Sequence, residues 1–312
     1  MVFREKQVFC RGTRQFQKTT RAALPGAPQN RILPEIMRPP MPSRNFPKGT
    51  ADGKILASAH RLSTFLLAAV SLPVFAKLFI PMDSGWPEAL LILTMAASTL
   101  IALARQLPLQ NVFLAAFGIA LMGGAASAVG FRTGIPFGPF MFGLDAGQQL
   151  FKTLPWAMPL VWVIIVLNSR GVARLILRPW RKTRNYGFWL IGLAATLTAL
   201  FDVTLEPFAS RIQHYWLWMP TKFSITWQGA PLVDFLGWAF VTLLILAFVT
   251  PALINKQLSR RSVPDYHPLA VWLGAILLFG TACASHGIWI AVAADAIIAI
   301  VTAVFAVRGG RW

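Results

Sequence analysis

From about Leu62 to the C-terminus, apolar stretches of about 18–22 residues alternate with short polar breaks, the length at which a helix crosses a hydrocarbon core. The pattern predicts eight spans, near 62–80, 87–104, 111–130, 153–169, 186–205, 231–254, 268–284 and 287–306. The connections between them are short, so residues 61–312 read as a single transmembrane domain. It is an all-α polytopic bundle without internal repeats. Residues 1–60 differ: they are rich in Arg, Lys and Pro and carry little apolar periodicity. Such a segment buries too little to order itself and reads as a mostly disordered basic leader. It has no apolar h-region of the kind a secretory signal needs. It is a solvated basic tail, an organellar transit peptide, or a stretch preceding a true start at Met37 or Met41.

Composition agrees with the spans. Of 312 residues, 56% are hydrophobic and 13% charged, where a soluble domain carries about 25% charged. The net charge of +18 would normally point to nucleic acid, but so apolar a chain has no polar face on which to bind it. Cys10 and Cys283 are too few and too far apart for a disulfide framework or a metal knuckle. Placed on the spans, 24 of the 29 Lys and Arg fall on the side of the N-terminus. By the positive-inside rule both termini are then cytoplasmic, which an even number of spans requires. The expected location is the cell inner membrane, or an organellar membrane if the leader is a transit peptide. Trp86, Trp156, Trp216, Trp218, Trp227 and Trp238 fall near the outer interface, as an aromatic belt does.

An ionisable group inside a membrane is costly and usually has a purpose. Asp202 and Glu206 close the fifth span in TALFDVTLEPF, four residues apart and so on one helix face. Asp234 opens the sixth span in GAPLVDFLGW, at the same outer level. Carboxyls held close in low dielectric do not all ionise comfortably, and an acid that keeps its proton beside an ionised neighbour forms an acid/base pair. The plainer alternative is a set of helix-end carboxylates facing interfacial water. Asp295 sits in mid-span, where a core acid would pair with His286 or a basic side chain. His60 and His267 fall in flanks and read as solvated. Neither a second histidine at helical spacing nor a nucleotide-binding loop is present, so no metal and no cofactor is expected.

The third span runs into GGAASAVGFRTGIPFGPFMFG, where glycines and prolines alternate with phenylalanines. Irregular backbone at membrane depth is tolerated where protein buries it or where it lines a cavity. The Gly-x-x-x-Gly spacings 130/134 and 134/138 fit close helix packing instead. The aromatic side chains fit the wall of a slot for a long apolar or polyene ligand.

The stretch GFRTGIPFGPFMF resembles a signature of membrane carotenoid biosynthesis proteins, a family that includes carotenoid 1,2-hydratases such as bisanhydrobacterioruberin hydratase. In that family Gly-x-x-Thr-Gly-x-Pro-Phe-Gly-x-Tyr-x-Tyr follows a helix. Gly130, Thr133, Gly134, Pro136, Phe137 and Gly138 fit it, with Phe140 and Phe142 in place of the tyrosines. Three further blocks follow in the family's order. LPWAMPLVW carries Pro155, Trp156, Pro159 and Trp162; FDVTLEPFASRIQHYWLW carries Asp202, Glu206, Pro207, Trp216 and Trp218; WQGAPLVDFLGW carries Gly229, Pro231, Asp234, Phe235, Gly237 and Trp238. The chain departs at Ser127, where the family commonly has Glu, at Glu206, where it has Asp, and at Asp234, where it has Asn.

The resemblance implies a carotenoid enzyme, most simply one that hydrates the terminal isoprenoid double bond of an acyclic polyene. Asp202, Glu206 and Asp234 are then candidates for the proton donor and the base that positions water, and Thr133 for orienting that water. Phe137, Phe140, Trp216, Trp218 and Trp238, with Gly134 and Gly138, would line the polyene and the cation. Membrane lipid and other enzymes of the pathway are the implied partners. The same acid and aromatic box would serve a proton-initiated cyclase or isomerase, and a non-catalytic carotenoid- or lipid-binding protein is the rival outside enzymology. A small-solute transporter fits less well, lacking a repeat and a central charged pathway.

Overall fold

The computed structural model describes residues 51–80, 85–220, 225–254 and 264–312. The leader through residue 50, Cys10 included, lies outside the described residues. Among the described residues, eight helices are long and apolar enough to cross a membrane. They are α1 (Ala51–Lys77), α2 (Trp86–Ala104), α3 (Leu109–Thr133), α4 (Met158–Ile176), α5 (Tyr186–Glu206), α6 (Leu232–Val249), α7 (His267–Ser285) and α8 (Trp289–Gly310).

Two boundaries depart from the sequence-based spans. Helix α1 begins at Ala51, so residues assigned to the leader form its first turns. Lys54 and Arg61 lower the hydropathy of these turns but do not oppose helix formation. Helix α4 starts later and ends later than 153–169, because Leu154–Pro155 is a short strand and the polar run Asn168-Ser169-Arg170 continues the helix inside the bundle. Buried there, Asn168 Nδ2 donates to Thr99 Oγ1 at 2.9 Å and to the Ile164 carbonyl at 2.8 Å, and Arg170 donates to the Leu253 carbonyl at 3.0 Å. A hydropathy reading sees only polar residues, whereas the packed helix gives the Asn168 amide N–H group and Arg170 internal acceptors.

Helix α4 is the centre of the bundle and packs against α2, α3, α5, α7 and α8. Trp162, Trp272, Ile119, Ile245, Leu246 and Ile276 are fully buried. Phe113, Phe117, Ile297, Ile300 and Phe305 point outward, as lipid-facing side chains do. Close approach of α3 and α4 depends on Gly123, because a Cβ there would lie 2.3 Å from the Trp162 ring.

Polar contacts sort the helix ends into two faces. Lys77 at the end of α1 pairs with Glu88 at the start of α2, and Arg132 at the end of α3 meets Thr153 just before α4. On the opposite face, Gln106 after α2 meets Asp265 before α7, and Arg174 near the end of α4 meets Gln106. Successive helices therefore run in opposite directions. The first face also carries three two-stranded ribbons: β1 (Phe140–Phe142) with β4 (Trp216–Trp218), β2 (Gln149–Leu150) with β3 (Leu154–Pro155), and β5 (Thr226–Trp227) with β6 (Ala230–Pro231).

Candidate active site

The acids of the fifth and sixth spans meet at this first face. Four residues are about one helical turn, which puts Asp202 and Glu206 on one side of α5. Pro207 then opens a π-helical turn, Pro207–Ile212, that redirects the chain into β4. Asp234 enters from the first turn of α6. Each of the three offers a carboxylate oxygen within 4.8 Å of the other two. Asp202 and Glu206 are 0% exposed and Asp234 3%, so they are core groups and do not face interfacial water. No Lys, Arg or His forms an ion pair with them among the described residues. Three such oxygens are also of a type and spacing that a hard cation takes.

The chain treats the three carboxyls differently. Period-two alternation along β4 turns Trp216 and Trp218 to the same side and leaves Leu217 outside. Both indole N–H groups donate to Glu206: Trp216 to Oε2 at 3.0 Å and Trp218 to Oε1 at 2.5 Å. A carboxylate with an N–H donor on each oxygen is a held, oriented acceptor. Neither Asp202 oxygen accepts from an N–H or hydroxyl donor among the described residues, and its near polar neighbours are the other two carboxyls. Asp234 looks outward from the cluster into a chamber of about 20 Å³, whose wall includes Ser127, Phe137, Phe140, Trp216, Trp218 and Trp238. About 10–15 Å³ is enough for one water molecule.

The aromatic wall is built by pairing across the two strands. Phe140 lies opposite Trp218, and Phe142 opposite Trp216. Phe140 and Trp218 have ring centroids 5.6 Å apart, and Phe137 lies 6.0 Å from Trp238. Trp238 stacks on Trp162 at 4.0 Å, and the Trp162 indole donates to Ser127 Oγ at 2.9 Å. Trp162, Phe142 and Met158 were not among the expected site residues, although Trp162 stands in the LPWAMPLVW block and Phe142 in the first block at a tyrosine position.

The structure thus brings together Asp202, Glu206, Asp234, Phe137, Phe140, Trp216, Trp218 and Trp238. Thr133 is not among them. It is exposed at the end of α3, where its hydroxyl donates to the Val129 carbonyl at 2.7 Å and accepts from the Ile135 N–H at 3.1 Å. Gly134 and Gly138 shape the backbone and do not themselves line the chamber. Gly134 terminates α3 in the left-handed region at φ 73°, and Gly138 lies against Pro231. Neither takes part in a helix–helix Gly-x-x-x-Gly seam. Trp216 and Trp238 are buried and do not belong to an interfacial belt.

Other sequence expectations also change. Asp295 is buried without a hydrogen-bond partner among the described residues, and His286 turns instead to the Ala282 carbonyl at 3.0 Å. His60 and His267 touch, with centroids 4.8 Å apart, and His267 Nε2 lies 3.2 Å from Ser98 Oγ. Tyr215, outside the spans, packs edge-on against Phe208, and burial raises its phenol above the ordinary value.

The blocks that build the cluster fall within the part of the chain that matches a known family. The model of the carotenoid biosynthesis protein family matches residues 87–302, which is most of the chain. The chain belongs to that family. Bisanhydrobacterioruberin hydratase of Haloarcula japonica is 30% identical over 126 residues, covering 40% of this chain and 40% of that protein. The match therefore spans well under two thirds of the relative's length. No solved structure matches. With eight helices long and apolar enough to span among the described residues, this member of the carotenoid biosynthesis protein family is a multi-pass membrane protein.

Proposed function

We propose that this carotenoid biosynthesis protein hydrates a terminal isoprenoid double bond of an acyclic carotenoid, with Asp234 at the reacting atoms. The observation that carries this reading is a carboxyl facing a water-sized aromatic chamber and backed by two further buried carboxyls. Protonated Asp234 gives its proton to one alkene carbon; the π pair forms that C–H bond and leaves a tertiary cation on the other carbon. The faces of Trp216, Trp218 and Trp238 stabilise the cation, as ring faces do for cations within about 6 Å. A water lone pair closes the C–O bond, and the proton that this water sheds returns to the carboxyl group of the cluster. The net change is addition of one water. Glu206, held by two indole N–H groups, and Asp202 are the neighbouring carboxyls that pass this proton back to Asp234 before the next turnover.

Ser127 and Asp234 line the same chamber. These are the positions at which the family resemblance implies Glu and Asn, so an acid missing from α3 is matched by one gained on α6. The distant hydratase relative supports the same reaction class.

The test is product mass. Purified protein in bilayers with an acyclic carotenoid is expected to yield a product heavier by one water. Asp234→Asn, Asp202→Asn and Glu206→Gln are each expected to lower the rate about 10²–10⁴-fold, the usual worth of a positioned acid or base. A product of unchanged mass would make the chain a cyclase or isomerase. Unchanged rates in Asp202→Asn and Glu206→Gln would remove the cluster from the chemistry.

A further inference from the structure

The chamber beside Asp234 has room for a water but not for the body of a polyene. Next to it lies a far larger cavity of about 490 Å³, within the range of about 300–1,000 Å³ of small-molecule pockets. It shares Phe142, Met158 and Trp216 with the chamber, so the two are separated by side chains alone. Its walls come from α1, α2, α4, α5 and α7. On α7 the lining runs from His267 to Phe279, about 18 Å at 1.5 Å per residue. It is therefore an elongated slot along the bundle axis, reaching from the face of the carboxyl cluster towards the other.

The lining of this slot is apolar through its middle, with Leu67, Val74, Ile92, Met95, Val161 and Leu278. Several of its few polar side chains are engaged: Glu88 with Lys77 at 2.7 Å, His267 with Ser98, and Ser71 with the Leu67 carbonyl at 2.7 Å. Helix α1 lies outside the matched family region of residues 87–302, yet it supplies the side of the slot from Thr64 to Phe75.

From this continuity of slot and chamber, we infer that the slot between α1, α2, α4, α5 and α7 holds the body of the acyclic polyene, with its end group passing Phe142, Met158 and Trp216 to reach Asp234. The inference rests on the proposed hydration reading only for the identity of the end-group site. Helix α1 is then the side wall that closes the slot, held at one end by the Lys77–Glu88 pair. The occupant is a long apolar chain, because a slot of this length with a mostly apolar lining offers hydrophobic contact and little else.

Gly274 gives a clean probe. It lines the slot, and a Cβ added there meets nothing within 4 Å, so a larger side chain enters the slot without displacing protein. Full-length protein in detergent is incubated with lycopene, a coloured acyclic polyene, and retention after gel filtration is read by visible absorbance. Wild type and Gly192→Phe, whose added Cβ also meets nothing but which lies outside the slot, are expected to retain it equally. Gly274→Phe is expected to retain about tenfold less, the factor that corresponds to about 1.4 kcal/mol of lost binding. Equal lycopene retention in wild type and Gly274→Phe, or none in wild type, overturns the inference. Loss of a copurifying phospholipid from Gly274→Phe, with lycopene retention unchanged, assigns the slot to membrane lipid and overturns it as well. Retention is read without turnover, so a protein that binds lycopene in the slot and hydrates nothing defeats the hydration reading and leaves the slot standing.

Discussion

The indole N–H of Trp218 donates to Oε1 of Glu206 at 2.5 Å, although the two residues lie on a strand and a helix separated by a π-helical turn. Trp216 holds the other oxygen. Phenylalanine at either position keeps an aromatic face and removes the donor. Hydrogen bonds to charged groups are worth about 1.5–3 kcal/mol, so Trp218→Phe is expected to lower kcat/KM by about 10- to 150-fold. Trp216→Phe should behave alike, and the double variant should lose less than the product of the two, because both anchor one carboxylate. Steady-state kinetics on the three variants measures this. A wild-type rate in the double variant would falsify the anchoring role.

Ser127 and Asp234 share one chamber, which makes a carboxyl exchange testable. Asp234→Asn alone is expected to abolish most turnover. Adding Ser127→Glu should restore a measurable part of it, since the carboxyl then enters the same chamber from α3. Product formation by mass reads the outcome. Failure of Ser127→Glu to raise activity above that of Asp234→Asn would tie the chemistry to the α6 position alone.

Gly123 predicts a packing effect separate from catalysis. Its added Cβ would lie 2.3 Å from Trp162, which stacks on Trp238. Gly123→Ala must push the Trp162 ring or part α3 from α4, and overpacking of this kind costs about 1–3 kcal/mol. Thermal unfolding in detergent is expected to show a lower Tm. Gly192→Ala, with open space at its Cβ, should leave it unchanged.

The three carboxylate oxygens within 4.8 Å also make a chelation experiment informative. Proton-driven hydration needs no cation in the cluster, so activity is expected to survive EDTA treatment and dialysis unchanged. Activity lost to EDTA and recovered with Mg²⁺ or Mn²⁺ would instead make the cluster a metal site.

Much of the architecture was legible from apolar run length. Six of the eight span positions needed only small adjustment, because a hydrocarbon core imposes one length on every helix. The failures share a cause. Asn168, Ser169 and Arg170 read as the end of a span, yet the helix continues because Thr99 and the Ile164 and Leu253 carbonyls satisfy two of them. Thr133 and the glycines at 134 and 138 read as site residues because they stand within a motif. Backbone hydrogen bonding and a left-handed turn use them instead.

Residue type and spacing alone determined that the chain is a bundle of membrane-crossing helices, that Asp202 and Glu206 share a helix face, and that Asp234 reaches their level. Those properties follow from local periodicity and from the bilayer's thickness. Tertiary structure alone decided which carboxyl faces the chamber, which is held by indoles, and that Ser127 and Asp234 meet. Contacts between α3, α6 and β4 depend on packing and strand register, and neither is written in the period of any one segment.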